Sequence, residues 1–455
     1  VLASTTQSTS LATFSIKEGF EENRRGLGTI RVGVDASIWM NEVQAALGKV
    51  FLHAQAGPKA ELRVLFLRLA HLLQFAITPI FVFDGPMRPA VKRGKQVIDL
   101  PHWLTRGFQK CIDAFGYYHH TAEAELAAMN QAGLIDIVVS TDVDMLVFGA
   151  KCVIRSLPTG GISDMVDLIT DESIQASTSL TWGGLALIAI LKGGDYHKGL
   201  KECGIGISSA LAKTGLGDSL LTAVRTYDDA ALSNFLTSWR NELRQELQYN
   251  RSGLLQRRHP VPAKHVTNTF LTPDILRLYC RPITSWTQNQ EHILIAHASS
   301  WTVGTINLQA LAHIAEQSFE WEQPKYLLDR FRSHIFPGLC IRELMKANST
   351  FFSQLTTYYS HGYIIDGPFS LSSVMGITSE RQGMSGNGYR LDINTCGLVN
   401  EALSGLTPSA RVTAARIAPR PRKLVWVPAP IVQGALPALV QSYINNTHHG
   451  GDDDV

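Results

Sequence analysis

The sequence predicts an α/β protein built on a parallel sheet, and three observations carry that prediction. First, the runs IRVGV (30–34), ITPIFVF (77–83) and IDIVV (135–139) read as short buried strands. Second, an acid follows each of them: Asp35, Asp84, and the pair Asp142 and Asp144. Third, KAELRVLFLRLAHLLQFA (59–76) lies between the first two runs, with Leu62, Leu65, Phe66, Leu69, Leu72 and Leu73 at the spacing of an amphipathic helix. A helical crossover makes its flanking strands parallel, so all of them end at the same edge of the sheet.

The four aspartates are therefore expected to converge. In open α/β sheets ligands bind in the crevice outside the carboxyl ends of the strands. A single aspartate there could equally be a turn residue that bonds its own backbone, but the pattern repeats on three strands. Carboxylates a few ångströms apart raise one another's pKa, and a divalent cation relieves the conflict. An all-oxygen donor set selects Mg²⁺, Mn²⁺ or Ca²⁺ over zinc. Cys111, Cys152, Cys203, Cys280, Cys340 and Cys396 are widely spaced and form no C-x-x-C pair, which argues against zinc and favours a reducing compartment, cytosol or nucleus. Neither a Ser-His-Asp arrangement nor a Walker loop offers a competing chemistry.

Composition is that of an ordinary globular chain: 455 residues, 45% hydrophobic, 18% charged, and a net charge of only +2. Cationic character is local. Between Pro86 and Lys110 stand Arg88, Lys92, Arg93, Lys95, Arg106 and Lys110 against one acid, Asp99, directly after the Asp84 strand. Such a patch is either a solvated face or a phosphate-neutralising surface, and its place beside the acids favours the second. A further run holds Arg240, Arg244, Arg251, Arg257, Arg258 and Lys264 against Glu242 and Glu246, and reads as a second duplex-contacting surface. No apolar run reaches the roughly 20 residues that span a bilayer, so no membrane partner is expected.

Residues 1–29 read as a Ser/Thr-rich loop. The segment PHWLTRGFQKCIDAFGYYHH can form a helix on Leu104, Phe108, Ile112 and Phe115, and TAEAELAAMNQAG a second, with Glu123 at its start as a first-turn acid or a further ligand. Lys151 to Arg155 reads as a strand. Residues 180–215 read as helix, Gly-Gly-Asp turn and second helix, a hairpin that offers backbone amides to a phosphate, with Asp195 in its turn. After residue 338, YRLDI (389–393), ARVTAARI (410–417) and KLVWVPAPIV (423–432) suggest a small, separate β-rich domain, and NNTHHGGDDDV a disordered tail.

Taken together, VDAS at Asp35, FDGPMRPAVKRG from Phe83, AEAELAAMNQAG, STDVDMLVFGA and GGDYHKGLKECGIGISSALA resemble the flap endonuclease and XPG family of structure-specific nucleases. WRNELRQEL, FPGLCIREL and the C-terminal extension resemble its GEN-type Holliday junction resolvases in particular. The resemblance covers roughly residues 30–345. It implies a PIN-like nuclease core (1–180), a helix-two-turn-helix region with the rest of the core (181–338), a chromodomain-like domain (339–445) and a tail (446–455). It implies hydrolysis with two Mg²⁺ ions, replaceable by Mn²⁺, held by Asp35, Asp84, Glu123, Asp142, Asp144 and Asp195, and a monovalent cation at the hairpin turn. DNA contacts fall to Arg88, Lys92, Arg93 and Lys95, to Gly204, Ile205 and Gly206, and to Arg257 and Arg258. Branched DNA (Holliday junctions and 5′ flaps), nuclear action in repair and recombination, and a monomer that pairs on the junction complete what it implies.

Two departures stand out. The family's E-A-E-A pattern places Thr121 where its first glutamate is expected, and no Met-Gly helix precedes Val1. We expect further residues in the intact protein around Thr121 and before Val1; with Thr121 native, a catalytically impaired binder of branched DNA is the alternative. A single-strand RNA nuclease fits less well, because the hairpin suits duplex phosphates.

Overall fold

The computed structural model describes residues 5–48, 59–84, 91–92, 95–96, 103–121, 125–158, 163–194, 196–319, 321, 323–348, 369–382, 386–417 and 420–449. Its centre is a seven-stranded sheet of β1 (Gln7–Ser10), β2 (Ile30–Asp35), β3 (Ile77–Phe83), β6 (Tyr118–Thr121), β7 (Ile137–Val139), β8 (Cys152–Ile154) and β9 (Met165–Thr170). The strands lie in the order β1-β9-β8-β7-β2-β3-β6. The five from β8 to β6 are mutually parallel, while β9 and β1 add an antiparallel edge.

The parallel core forms for the reason the sequence suggests. β2 is buried up to its last residue and β3 throughout, and α2 (Ala60–Leu72) lays Leu62, Leu65, Phe66, Leu69 and Leu72 against the sheet. Before it runs α1 (Ala36–Gly48), and α3 (Trp103–Ala114) covers the same core with Leu104, Phe108, Cys111 and Ile112. The third expected strand is shorter than its apolar run: Ile135 is buried but precedes β7. Between β3 and β6 a short antiparallel ribbon, β4 (Val91–Lys92) with β5 (Lys95–Gln96), falls inside the basic stretch.

Several expectations need correcting. Residues 7–21 are not a loop: β1 extends the sheet, and one α-turn (Leu11–Phe14) continues into a π-helical turn (Ser15–Glu21). Asp164 fixes this piece by accepting from Ser10 Oγ at 2.6 Å and from Ala12 N at 3.2 Å. β6 was also not anticipated, because YHHT is an edge strand with alternating exposure and no apolar run.

The helical part follows: α4 (Glu125–Gln131), α5 (Asp144–Val147), α6 (Trp182–Lys192), α7 (Ile205–Leu211), α8 (Leu216–Thr226), α9 (Asp229–Tyr249), α10 (Pro273–Cys280), α11 (Glu291–Ser299), α12 (Leu308–Phe319), α13 (Pro324–His334) and α14 (Phe336–Asn348). α6 to α10 enclose their own core around Leu187, Leu220, Leu236, Trp239 and Leu243.

The C-terminal part is a three-stranded antiparallel sheet, β10 (Val374–Arg381), β11 (Gly388–Asn394) and β12 (Arg422–Pro428), with α15 (Cys396–Ser404), α16 (Pro408–Ala414), α17 (Ala429–Ala435) and α18 (Pro437–His449). YRLDI and KLVWVP are strands as expected, but ARVTAARI is largely helical, APIV opens a helix, and NNTHH belongs to α18. Nor does this part stand apart. Leu391, Ile393, Val425 and Ile431 share one hydrophobic cluster with Phe336, Leu344 and the central sheet. Buried Glu316 of α12 reinforces the joint, accepting from Thr407 N at 3.0 Å and Thr407 Oγ1 at 2.7 Å. Tyr389 packs inward against Tyr443, whereas Trp426 lies between Arg381 and Arg390 at 4.6 and 5.9 Å rather than in the core. No single described helix is long and apolar enough to cross a membrane.

Candidate active site and nucleic-acid interface

The parallel pairing brings the predicted acids to one edge. Asp35 ends β2 in register with Val82 of β3, so Asp84 stands just past it; Val34 pairs Val139 of β7, which sets Asp142 just beyond the neighbouring strand. Strand order reverses at β2, where β3 leaves to one side and β7 to the other, and such a switch point is where open α/β sheets bind ligands.

Local bonds orient two of these carboxylates. Asp35 caps α1, its Oδ1 accepting from Ile38 N at 3.1 Å, and Asp142 Oδ1 accepts from Asp144 N at 3.0 Å at the start of α5. Ser140 Oγ in turn accepts from Asp142 N at 3.1 Å. The edge is open to solvent: Asp84 is exposed, while Asp35, Asp142 and Asp144 are half-buried. Two expected ligands, Glu123 and Asp195, lie outside the described residues. Among the described residues no three Asp, Glu, His or Cys side chains stand close enough together to hold an ion. The described acids suit a hard cation in donor chemistry, and a complete set calls on Glu123 or Asp195. Glu125 has a different use: it is buried, accepts from Ser285 N at 3.0 Å, and burial pushes its carboxyl above the usual range.

The segment behind these acids is pinned by polar residues that the sequence reading missed. Asn130 Nδ2 donates to Ile135 O at 3.1 Å and Asp136 O at 2.9 Å, and its Oδ1 accepts from Lys151 N at 2.7 Å. Gln131 Nε2 donates to Phe148 O at 2.6 Å. Neither carries a sequence signal, since each is a lone amide on a helix.

Of the basic patch, Arg88 and Arg93 lie outside the described residues, and Lys92 and Lys95 are described in their backbone alone. Lys92 and Lys95 pair directly across β4 and β5.

The hairpin is as expected. α6 ends at Gly193, whose φ of +87° and whose 2.6 Å clearance between an added Cβ and Lys198 O leave room for no other residue. Gly194 N donates to His197 O at 2.9 Å and Leu200 N to Leu191 O at 2.8 Å, closing a tight loop that displays Lys198 and Lys201. α7 then starts at Gly204 with no side-chain cap, and Gly204 and Gly206 face open space. Its first amide groups are therefore presented bare, as a phosphate requires.

The second basic run divides in two. Arg257 and Arg258 are exposed, as a contact surface needs. Arg240 and Arg244 are structural: Arg240 is buried and donates to Phe270 O at 2.7 Å and Leu271 O at 3.2 Å, while Arg244 donates to Val266 O at 2.7 Å. They tie α9 to the loop after it, so they are removed from the predicted DNA surface.

Comparison with known proteins points to one family of nucleases. Residues 20–98 match the XPG N-terminal domain and residues 111–195 the XPG I-region. The Arabidopsis thaliana flap endonuclease GEN-like 1 is 26% identical over 231 residues, 44% of this chain and 36% of that relative, so the match spans little more than a third of its length. Across the whole fold, the Holliday junction-resolving enzyme GEN1 in complex with product DNA and Mg²⁺ superposes with a TM-score of 0.73 at 25% identity, covering 98% of both chains. A eukaryotic junction-resolving enzyme GEN-1 binding potassium gives 0.73 at 26% identity, covering 98% of this chain and 97% of the other.

Proposed function

We infer that the chain is a GEN-like member of the XPG family, a structure-specific DNA endonuclease that resolves Holliday junctions and cuts 5′ flaps in repair and recombination in the nucleus. The observation that carries this reading is the register of β7, β2 and β3, which gathers Asp35, Asp84, Asp142 and Asp144 at one open edge. With Glu123 and Asp195 these side chains would hold two Mg²⁺ ions, or Mn²⁺ in their place. Such ions lower the pKa of bound water and stabilise charge on a phosphate under attack. The protein's own part is to set the carboxylates: α1 orients Asp35 through Ile38 N, and the Asp142–Asp144 turn orients itself.

DNA is held away from the acids as well as at them. The bare amides at Gly204, Ile205 and Gly206, flanked by Lys198 and Lys201, suit one duplex arm, with a monovalent cation at that turn. Arg257 and Arg258 suit the same arm further along, and Arg88, Lys92, Arg93 and Lys95 the strand at the cleavage edge. One chain carries one set of acids and a junction needs two symmetric cuts, so a monomer in solution would pair on the junction.

Labelled four-way junctions and 5′ flaps, incubated with Mg²⁺ or with EDTA, test the reading. Metal-dependent cutting at the branch is the expected result. Tight binding without cutting would replace it by an impaired branched-DNA binder.

A further inference from the structure

We infer that Trp182 is a positioning residue that links duplex engagement at the hairpin to the setting of the acid-bearing segment from Asp142 to Val147. The inference rests on the nuclease reading above. α6 is an 11-residue rod, about 16 Å long, and its two ends serve different sites. At its carboxyl end it runs into the Gly193 turn, the exposed Lys198 and Lys201, and the bare start of α7.

At its amino end Trp182 Nε1 donates to Val147 O at 2.7 Å. Val147 is the last residue of the four-residue helix that Asp144 opens. The indole closes over Gly149, where an added Cβ would stand 2.6 Å from the ring, and Arg225 of α8 covers the indole at 4.7 Å. The next carbonyl, Phe148 O, is held by Gln131 of α4.

A single helical turn has almost no stability of its own. The setting of α5 is therefore imposed by its tethers, and two of them meet beside Gly149: Gln131 from α4, and Trp182 from the helix that ends at the hairpin. α6 packs on α7 and α8, so phosphate bound at Gly204 to Gly206 restrains a body whose far end grips the turn behind Asp144. A tryptophan is needed because the contact has two parts, a flat ring over Gly149 and a donor for Val147 O. Phenylalanine supplies the first only.

The test is Trp182→Phe, which keeps the ring, with Arg225→Gln as a second variant that loosens the same end of α6 from the α8 side. Hydrogen exchange is followed in EDTA, with and without a four-way junction, so that it reads coupling independently of cutting. In the wild type, DNA should slow exchange both at residues 193–210 and at 142–150. In Trp182→Phe the first protection should persist and the second fall at least threefold, with the cutting rate at saturation about tenfold lower, the junction Kd within twofold, and more Mg²⁺ needed for half-maximal rate. Arg225→Gln should show the same pattern more weakly. Protection at 142–150 unchanged in both variants would overturn the inference while leaving the nuclease reading intact. A wild type that neither binds nor cuts junctions would instead overturn that reading.

Discussion

Replacing Arg257 and Arg258 together by Ala, beside the single change Arg240→Ala, separates contact arginines from structural ones. The first two are exposed, so their loss should change stability by no more than about 0.5 kcal/mol. If each neutralises one phosphate, the slope of log K against log salt should flatten by about 1.8, from about 0.9 per contact. Between about 50 and 200 mM salt that is roughly a 12-fold smaller weakening than the wild type shows. Arg240→Ala behaves oppositely. It strands the buried carbonyls of Phe270 and Leu271, bonded at 2.7 and 3.2 Å. Charged hydrogen bonds of this kind contribute about 1.5–3 kcal/mol each, so about 3–6 kcal/mol of stability should go while the salt slope stays put. Fluorescence anisotropy on a labelled junction in EDTA gives the slope, and urea unfolding gives the stability. A flattened slope in a fully stable Arg240→Ala protein, or no change of slope in the double variant, would refute the division.

Three further outcomes follow from particular contacts. Burial raises the carboxyl pKa of Glu125, so its charged form costs stability, a cost absent below the ordinary carboxylate range and growing as pH rises through the raised value. Glu125→Gln, which retains an acceptor for Ser285 N, should therefore gain on the wild type in thermal melts at pH 8 and lose that advantage toward pH 5; a constant gap would contradict the assignment. Because the C-terminal sheet shares the central hydrophobic cluster, the chain should melt in one calorimetric transition, and Glu316→Ala, which strands Thr407 N, should lower it by about 1–3 kcal/mol without splitting it. Light scattering should find one copy free in solution and two on a four-way junction; a stable dimer without DNA would contradict the pairing.

The part of the fold that could be read in advance is the part with strong patterning. β2 and β3 are runs of apolar residues ended by acids, and the leucines of α2 repeat at helical spacing, so the parallel pairing that sets Asp35, Asp84 and Asp142 past the ends of adjacent strands followed from topology alone. What escaped has weak local signals. β1 (QSTS) and β6 (YHHT) are edge strands with little apolar surface, held by pairing with β9 and β3. ARVTAARI carries β-branched residues, yet Pro408 starts a helix there and Ala410 and Ala414 are its buried residues. Arg240 and Arg244 show the same limit at the site, since a sequence counts charge but not the carbonyls that absorb it. Trp182, Asn130 and Gln131 stayed unseen because each acts through hydrogen bonds to backbone groups that no local pattern announces.

The most direct test of the central claim is to measure cutting and junction binding side by side in Asp35→Asn and Asp144→Asn. Each change removes a charge at the edge where β2 and β7 meet and leaves the hairpin and Arg257 and Arg258 untouched. Cutting in Mg²⁺ should fall by at least about three orders of magnitude in both, with the Kd in EDTA within about threefold of the wild type. Cutting at the wild-type rate by either variant would contradict the claim that these acids form the active site.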